Sequence, residues 1–327
     1  MRDAVRRRLI AELRCLHASM SCPAIVPLHG AFLCDGSVAI VLELMDRGSL
    51  ADVLKAFPTG KNGVPEQPLR CIAARVLVGL SYLHDSCHII HRDLKPSNLL
   101  LNSRGEVKIS DFGVSGQLRP GQPQSSTWLG TTRYMAPERI AGQQYDTSSD
   151  VWALGITLLE CATGAHPYQE EPVVLRRDEA PDGRHAPHCA GDTPPDFWAL
   201  HERITQHPPP QLEPSTRFSA ACAEFLDHCL QKEGACRWSA EQLRQHPWVC
   251  ARAGDLDGHD PAGEAGECCV AAFVATVTGS ADAFSMPSDS SSWLGSLPTG
   301  VRLRASPSAS TLHTVASRPC AARVHCE

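Results

Sequence analysis

Residues 91–98 read His-Arg-Asp-Leu-Lys-Pro-Ser-Asn; a short apolar stretch ending in Lys108-Ile109-Ser110 follows, then Asp111-Phe112-Gly113, and later Ala136-Pro137-Glu138. Each tripeptide alone is a weak signal. Their order, with 18 positions from Asp93 to Asp111, is a poor match to chance.

The residue types explain one another chemically. Transfer of a phosphoryl group to a hydroxyl needs a carboxylate that orients the nucleophile and takes its proton, hard oxygen ligands for Mg2+, and a cation on the migrating group. Asp93 suits the first task, Asn98 and Asp111 the second, and Lys95 the third. A solvated turn aspartate is the ordinary reading of Asp93 or Asp111 taken singly, and the constellation overrides it.

On these motifs the chain resembles a eukaryotic protein kinase. The stretches SCPAIVPLHGAF (21–32), LELMDRGSL (42–50), HRDLKPSNLL (91–100) and NSRGEVKISDFGVSGQL (102–118) resemble the MAP kinase kinase family. The resemblance covers about residues 4–249. It implies ATP and Mg2+ as cofactors and a dual-specificity reaction on Ser/Thr and Tyr of a MAP kinase substrate. An upstream MAP kinase kinase kinase is implied as activator. Carried over position by position, Glu12 matches the glutamate of a regulatory helix and Leu42 the gatekeeper. Glu43 to Met45 match the hinge that meets adenine through its backbone, and Leu100 the floor under the purine. Thr131 matches the threonine that joins the substrate loop to Asp93 and Lys95. Arg92 matches an arginine that meets a phosphorylated loop, here containing Ser125, Ser126 and Thr127. Glu138 is expected to pair with Arg237, and Asp150 to cap the catalytic loop.

The sequence also departs from the family. Counting back from Thr127, the positions where a second phosphoacceptor would stand hold Pro123 and Gly121. No Gly-rich turn or VAIK-like strand lysine occurs, although the family uses both to hold the ATP phosphates. The expectation is an α+β, protein-kinase-like chain with a truncated small lobe (1–47), a mainly helical large lobe (48–250) and a disordered tail (251–327). Little turnover is expected from this sequence by itself, and the edge of the small-lobe hairpin is expected to be exposed. The alternative is a catalytically dead, kinase-like interaction protein or a truncated fragment.

Working outward, Leu69–His84, Ser149–Thr163, Pro195–Thr205 and Ala220–Leu230 carry apolar stripes at helical spacing, while Ile25–Phe32 and Val38–Glu43 read as strands. The Arg-rich start through His17 reads as the regulatory helix rather than a targeting peptide. Residues 169–194 read as a surface loop that serves either in partner recognition or as a passive linker, and His185, His188 and Cys189 within it as solvated rather than metal-binding.

Residues 251–327 hold five Arg, no Lys and eight acidic residues, with no sustained period. The apolar run around Phe273 reads as incidental there. A formal net charge of −6 leaves no surplus to draw phosphate, so no nucleic acid is expected. No apolar run reaches the roughly 20 residues a membrane helix needs. Fifteen cysteines without a CxxC pair point away from a disulfide framework or zinc ribbon, and toward a reducing, cytoplasmic setting.

Overall fold

The computed structural model describes residues 17, 21–34, 37–56, 63–112, 115–117, 131–168, 195–250, 264–278, 301–305 and 320–326. Glu12, Ser125, Ser126 and Thr127 lie outside the described residues, as does the loop 169–194 with His185, His188 and Cys189.

Helix α2 (Glu66–Ser81) is the axis of the large lobe, with α1 (Leu50–Ala56) preceding it. Leu69, Ile72, Leu77 and Leu80 are fully buried, as is nearly every other side of α2, because elements pack around its whole circumference. A β-carbon at Gly79 would lie 2.7 Å from Ile109 Cδ1 and 3.2 Å from Ala24 O, so only glycine lets α2 approach the strand behind it this closely.

The strands of the large lobe are short: β3 (Ile89–Ile90) pairs with β6 (Gly116–Gln117), and β4 (Leu99–Leu101) with β5 (Val107–Ile109), all antiparallel. After α3 (Pro137–Ile140) comes α4 (Ser148–Thr163), whose Trp152, Leu154, Ile156 and Leu158 are wholly buried. Helices α5 (Pro195–Thr205), α6 (Ala220–Cys229), α7 (Ala240–Arg244) and α8 (Pro247–Cys250) complete this part. The helix starts and stops lie within three residues of the periodicity reading, and Tyr82–Ser86 continue α2 as a π-helical turn.

The expected ion pair is present. Arg237 Nη1 and Nη2 donate to Glu138 Oε1 and Oε2 at 2.7 and 2.6 Å, and the remaining guanidinium donors reach the carbonyls of Gln231, Lys232 and Ser148. Every carbonyl in that cage lowers the cost of burying the charge, which is the condition under which a buried pair holds.

The small-lobe part is a hairpin of β1 (Leu28–Cys34) and β2 (Ser37–Leu42), with Ala31 opposite Ile40. Its expected open edge is covered: β8 (Cys320–Cys326) pairs with β2, β7 (Val301–Ala305) with β8, and the four-stranded order is β1-β2-β8-β7. The unpaired backbone donors and acceptors of β2 are satisfied by strand addition.

The tail departs from expectation in a second place. Residues Glu264–Thr278 form helix α9, which packs on α2 and α1. The run around Phe273 is therefore not incidental, since Val270, Phe273 and Val274 are buried in the same core cluster as α2. Three apolar side chains at helical spacing, each worth roughly 1.5–3 kcal/mol on full burial, suffice to hold a helix whose surroundings in sequence are polar.

Candidate active site

The β4–β5 hairpin builds one wall. Leu99 faces Ile109, so Asn98 and Asp111 leave the same end of the hairpin. Ser110 ties the two together: its N–H and its hydroxyl both donate to Asn98 O, at 2.9 and 3.0 Å. Both edges of the hairpin are bonded to earlier segments of the chain. Val26 N donates to Ile109 O (3.0 Å) and Ile109 N to Ala24 O (2.9 Å), while Arg47 N and Leu101 N bond Leu101 O and Gly48 O.

Asp93 faces this end. Asn98 Nδ2 donates to Asp93 O at 2.7 Å and sits 3.3 Å from Asp93 Oδ2. Lys95 Nζ lies 2.8 Å from Asp93 Oδ2, and Thr131 N donates to Oδ1 at 2.8 Å. Lys95 Nζ also donates to Thr131 Oγ1 at 2.7 Å, which closes a ring of three residues. Burial by itself would raise the Asp93 pKa, but the Lys95 charge and the bonds from Lys95 and Thr131 outweigh it, so the carboxyl titrates below its usual range. Asp93 is thus an ionised acceptor held in place from two sides.

The loop carrying it is fixed from below by Asp150, at the start of α4 and fully buried. Asp150 Oδ2 accepts from His91 N (2.8 Å) and contacts His84 Nε2 (2.9 Å), and Oδ1 accepts from Arg92 N (2.8 Å). Burial pushes the Asp150 pKa up, and the His84 contact with the backbone donors brings it below the ordinary value. These bonds hold Arg92 at φ +72°, and Asp111 is also left-handed at φ +63°. Non-glycine residues adopt that region only where the surroundings over-determine it. The cap expected of Asp150 is therefore seen.

The remaining candidates fall nearby. Glu43 N donates to Pro27 O (3.1 Å) and its carboxylate pairs with Lys108, so its side chain is engaged. Met45 is buried, its carbonyl accepting from Gly48 N, and Leu100 is half-buried on β4 with a bridge to Ser49. The Arg92 guanidinium lies 5.6 Å from the Tyr145 ring centre.

Two positions that the sequence reading passed over belong to the same network. His91 is fully buried, packs edge-on against Phe112 at 5.3 Å, and sets its Nε2 3.0 Å from Ser110 O. Ser110 is the tie already described. Their places immediately before Arg92 and Asp111 were the available signal.

A second cluster, Glu224, His228 and His246, brings potential metal ligands within 4.8 Å of one another. His246 Nδ1 accepts from Trp248 N at 3.1 Å, which leaves the proton of the neutral ring on Nε2, the atom 4.0 Å from Glu224. Burial lowers the His246 pKa, and its ring packs against Phe225 and Trp238. With no lone pair directed at Glu224, His246 reads as a packing residue.

Comparison with known proteins agrees with the motif order. Residues 1–249 match the family model described as protein kinase domain. The chain is 42% identical over 247 residues to mitogen-activated protein kinase kinase 2 of Arabidopsis thaliana, covering 76% of this chain and 62% of that protein. It is 44% identical over 254 residues to mitogen-activated protein kinase kinase 1 of the same plant (76% and 63%). It is 40% identical over 265 residues to the dual specificity mitogen-activated protein kinase kinase dSOR1 of Drosophila melanogaster (80% and 64%). The chain spans somewhat under two thirds of the length of these relatives. The chain belongs to the protein kinase family, and its relatives within it are mitogen-activated protein kinase kinases.

Proposed function

We propose that the site of Asp93, Lys95, Asn98 and Asp111 serves transfer of the γ-phosphoryl group of ATP to Ser/Thr and Tyr hydroxyls of a MAP kinase, in a cascade that begins with an upstream MAP kinase kinase kinase. The observation that carries this reading is the ionised Asp93 carboxylate held between Lys95 and Thr131, facing the end of the hairpin that bears Asn98 and Asp111.

Asp93 orients the incoming hydroxyl and accepts its proton, while Lys95 neutralises charge on the group in flight. The donor set suits Mg2+: Asn98 spends its amide N–H on Asp93 O, leaving a carboxamide oxygen, and Asp111 adds a carboxylate. The ion, when bound, would offset charge on the phosphate oxygens. Glu43 and Met45 meet adenine through the backbone, and Leu100 packs beneath it. In this reading Arg92 receives an anion from a loop phosphorylated within Ser125, Ser126 or Thr127. Residues 1–47, 48–250 and 251–327 are proposed as small-lobe part, large lobe and tail, the tail carrying α9 and the added strands. A cytoplasmic setting fits the absence of any membrane-length apolar helix among the described residues.

Residues 1–327 hold no Gly-rich turn or strand lysine for the phosphates, so slow turnover by this segment is expected, with nucleotide binding that depends on Mg2+. The test is calorimetric titration with MgATP, followed by phosphate transfer to a MAP kinase whose own catalytic aspartate is replaced. Asp111→Asn and Asn98→Ala should weaken MgATP binding about tenfold, and Asp93→Asn should spare binding but remove transfer. Binding unaffected by chelating Mg2+, or transfer that survives in Asp93→Asn, would overturn the assignment.

A further inference from the structure

Helix α9 lies across α2, and at the crossing two thiols meet. Cys71, on the second turn of α2, is 4% exposed, whereas Cys269 on α9 is half-buried and packed against the core. Their side chains are joined by a hydrogen bond. The alignment is fixed on both sides. One turn farther along α2, Arg75 Nη2 pairs with Glu267 Oε1 at 2.6 Å, and Val270, Phe273 and Val274 anchor the rest of α9. The backbone of α9 also rests on the turn of the β4–β5 hairpin: a β-carbon at Gly105 would sit 1.8 Å from Glu267 O.

We propose that Cys71 and Cys269 are a peroxide-responsive dithiol, whose oxidation to a disulfide locks α9 to α2 and thereby braces the hairpin that carries Asn98 and Asp111.

The chemistry needs a peroxide and nothing else. The Cys269 thiolate attacks one peroxide oxygen; an S–O bond forms, the O–O bond breaks, and the departing hydroxide takes a proton to become water. The Cys71 sulfur then gives up its proton and attacks the resulting sulfenic sulfur. An S–S bond forms, the S–O bond breaks, and a second water leaves. The two thiols together lose two electrons and the peroxide gains two. A dithiol reductant reverses the step, so the device can operate transiently in a reducing compartment.

The order of events follows from access and charge. Cys269 is reachable by solvent and Cys71 is not, so the first oxidation falls on Cys269 and the resolving thiol waits beneath it. The hydrogen bond from Cys71 and the nearby Arg70 charge bring the Cys269 pKa down to about 7, against the opposing effect of burial. Elsewhere burial acts alone or dominates: Cys222 is pushed up to about 12, and Cys161 and Cys229 rise as well. Those thiols, held protonated by burial, are poor nucleophiles.

The experiment uses the full chain, reduced, treated with stoichiometric hydrogen peroxide and then alkylated. Mass spectrometry of the non-reduced digest should find the Cys71 peptide joined to the Cys269 peptide. The midpoint of thermal unfolding should rise by about 5–10 °C, reversibly with dithiothreitol. Cys269→Ser should lose both effects, and Cys268→Ser, at the exposed neighbouring thiol, should keep both. If Cys71→Ser fails to fold, Cys269→Ala still decides, because it removes only the half-buried partner. A crosslink from Cys71 to Cys268 in preference, or a thermal shift that persists in Cys269→Ser, would overturn the proposal.

Discussion

The two ends of the β4–β5 hairpin are backed differently. At the Asn98–Asp111 end, fixation is polar throughout: Ser110 binds Asn98, Asn98 binds Asp93, and Asp150, from α4, gathers the backbone of His91 and Arg92. At the turn, from Asn102 to Glu106, local hydrogen bonds are joined by packing from far along the chain: Asn102 Oδ1 accepts from Arg104 N and Glu106 N, Ser103 N donates to Asp46 Oδ1, and α9 lies directly on Gly105, with Glu267 paired to Arg75 of α2. The polar end sets where donors and acceptors point, and the packing of α9 sets how firmly the turn is backed. Hydrogen bonds among buried groups give direction at high cost if broken, whereas packing gives support that scales with area and is lost by degrees.

The largest effect should come from the polar end. Asp150→Ala removes the acceptor for two backbone donors and the partner of His84, leaving Arg92 in a left-handed conformation without its restraint. Urea unfolding should show a loss of about 3–5 kcal/mol. Asp150→Asn, which can accept through one oxygen only, should fall between that variant and the native chain. A loss below 1 kcal/mol in Asp150→Ala would mean that the loop is held by its neighbours instead.

The same carboxylate should be visible in the pH profile. Its folded pKa lies below the ordinary value, so the stability it contributes is complete above the unfolded value of about 4 and is lost as pH falls through the folded value. The native chain should therefore unfold more readily in urea as pH drops below about 4. In Asp150→Asn the slope should be shallower yet present, because Asp93 and Glu138 are depressed in the same direction. Equal slopes in the two proteins would remove Asp150 from the acid response.

The difference between the ends also explains what the sequence disclosed. Asn98, Ser110, Asp111 and Asp93 act through local spacing, and a two-stranded ladder converts that spacing directly into adjacency. Glu138 and Arg237 are distant in sequence, but each stands in a short motif whose wording marks it. Helix α9 has no such wording. Its apolar run stands in a Ser/Ala-rich segment without caps or motif to mark it, and what seats it is complementarity to α2 and to Gly105, which no window on residues 251–327 contains. The covering of β2 by β8 escaped for a related reason: an edge strand advertises a vacancy, not its occupant.

The smallest effect, and the one that separates support from direction, should come from Gly105. It sits at φ +84°, and a β-carbon there would lie 1.8 Å from Glu267 O and 2.7 Å from Ala271 N. Gly105→Ala therefore carries two penalties, left-handed strain of about 1 kcal/mol and displacement of α9. Asparagine tolerates the left-handed region but still has a β-carbon, so Gly105→Asn relieves most of the strain and leaves the collision in place. Both variants should lose about 1–3 kcal/mol in urea, with Asn less affected, and both should alkylate Cys269 faster than the native chain as α9 lifts. Magnesium-dependent nucleotide binding should fall by less than threefold, since Asn98 and Asp111 keep their own bonds at the far end. Native Cys269 labelling in Gly105→Asn would show that the turn, not the helix, gives way. A tenfold loss of nucleotide binding would instead show that the two ends are not independent, and that backing the turn is part of aiming the donors.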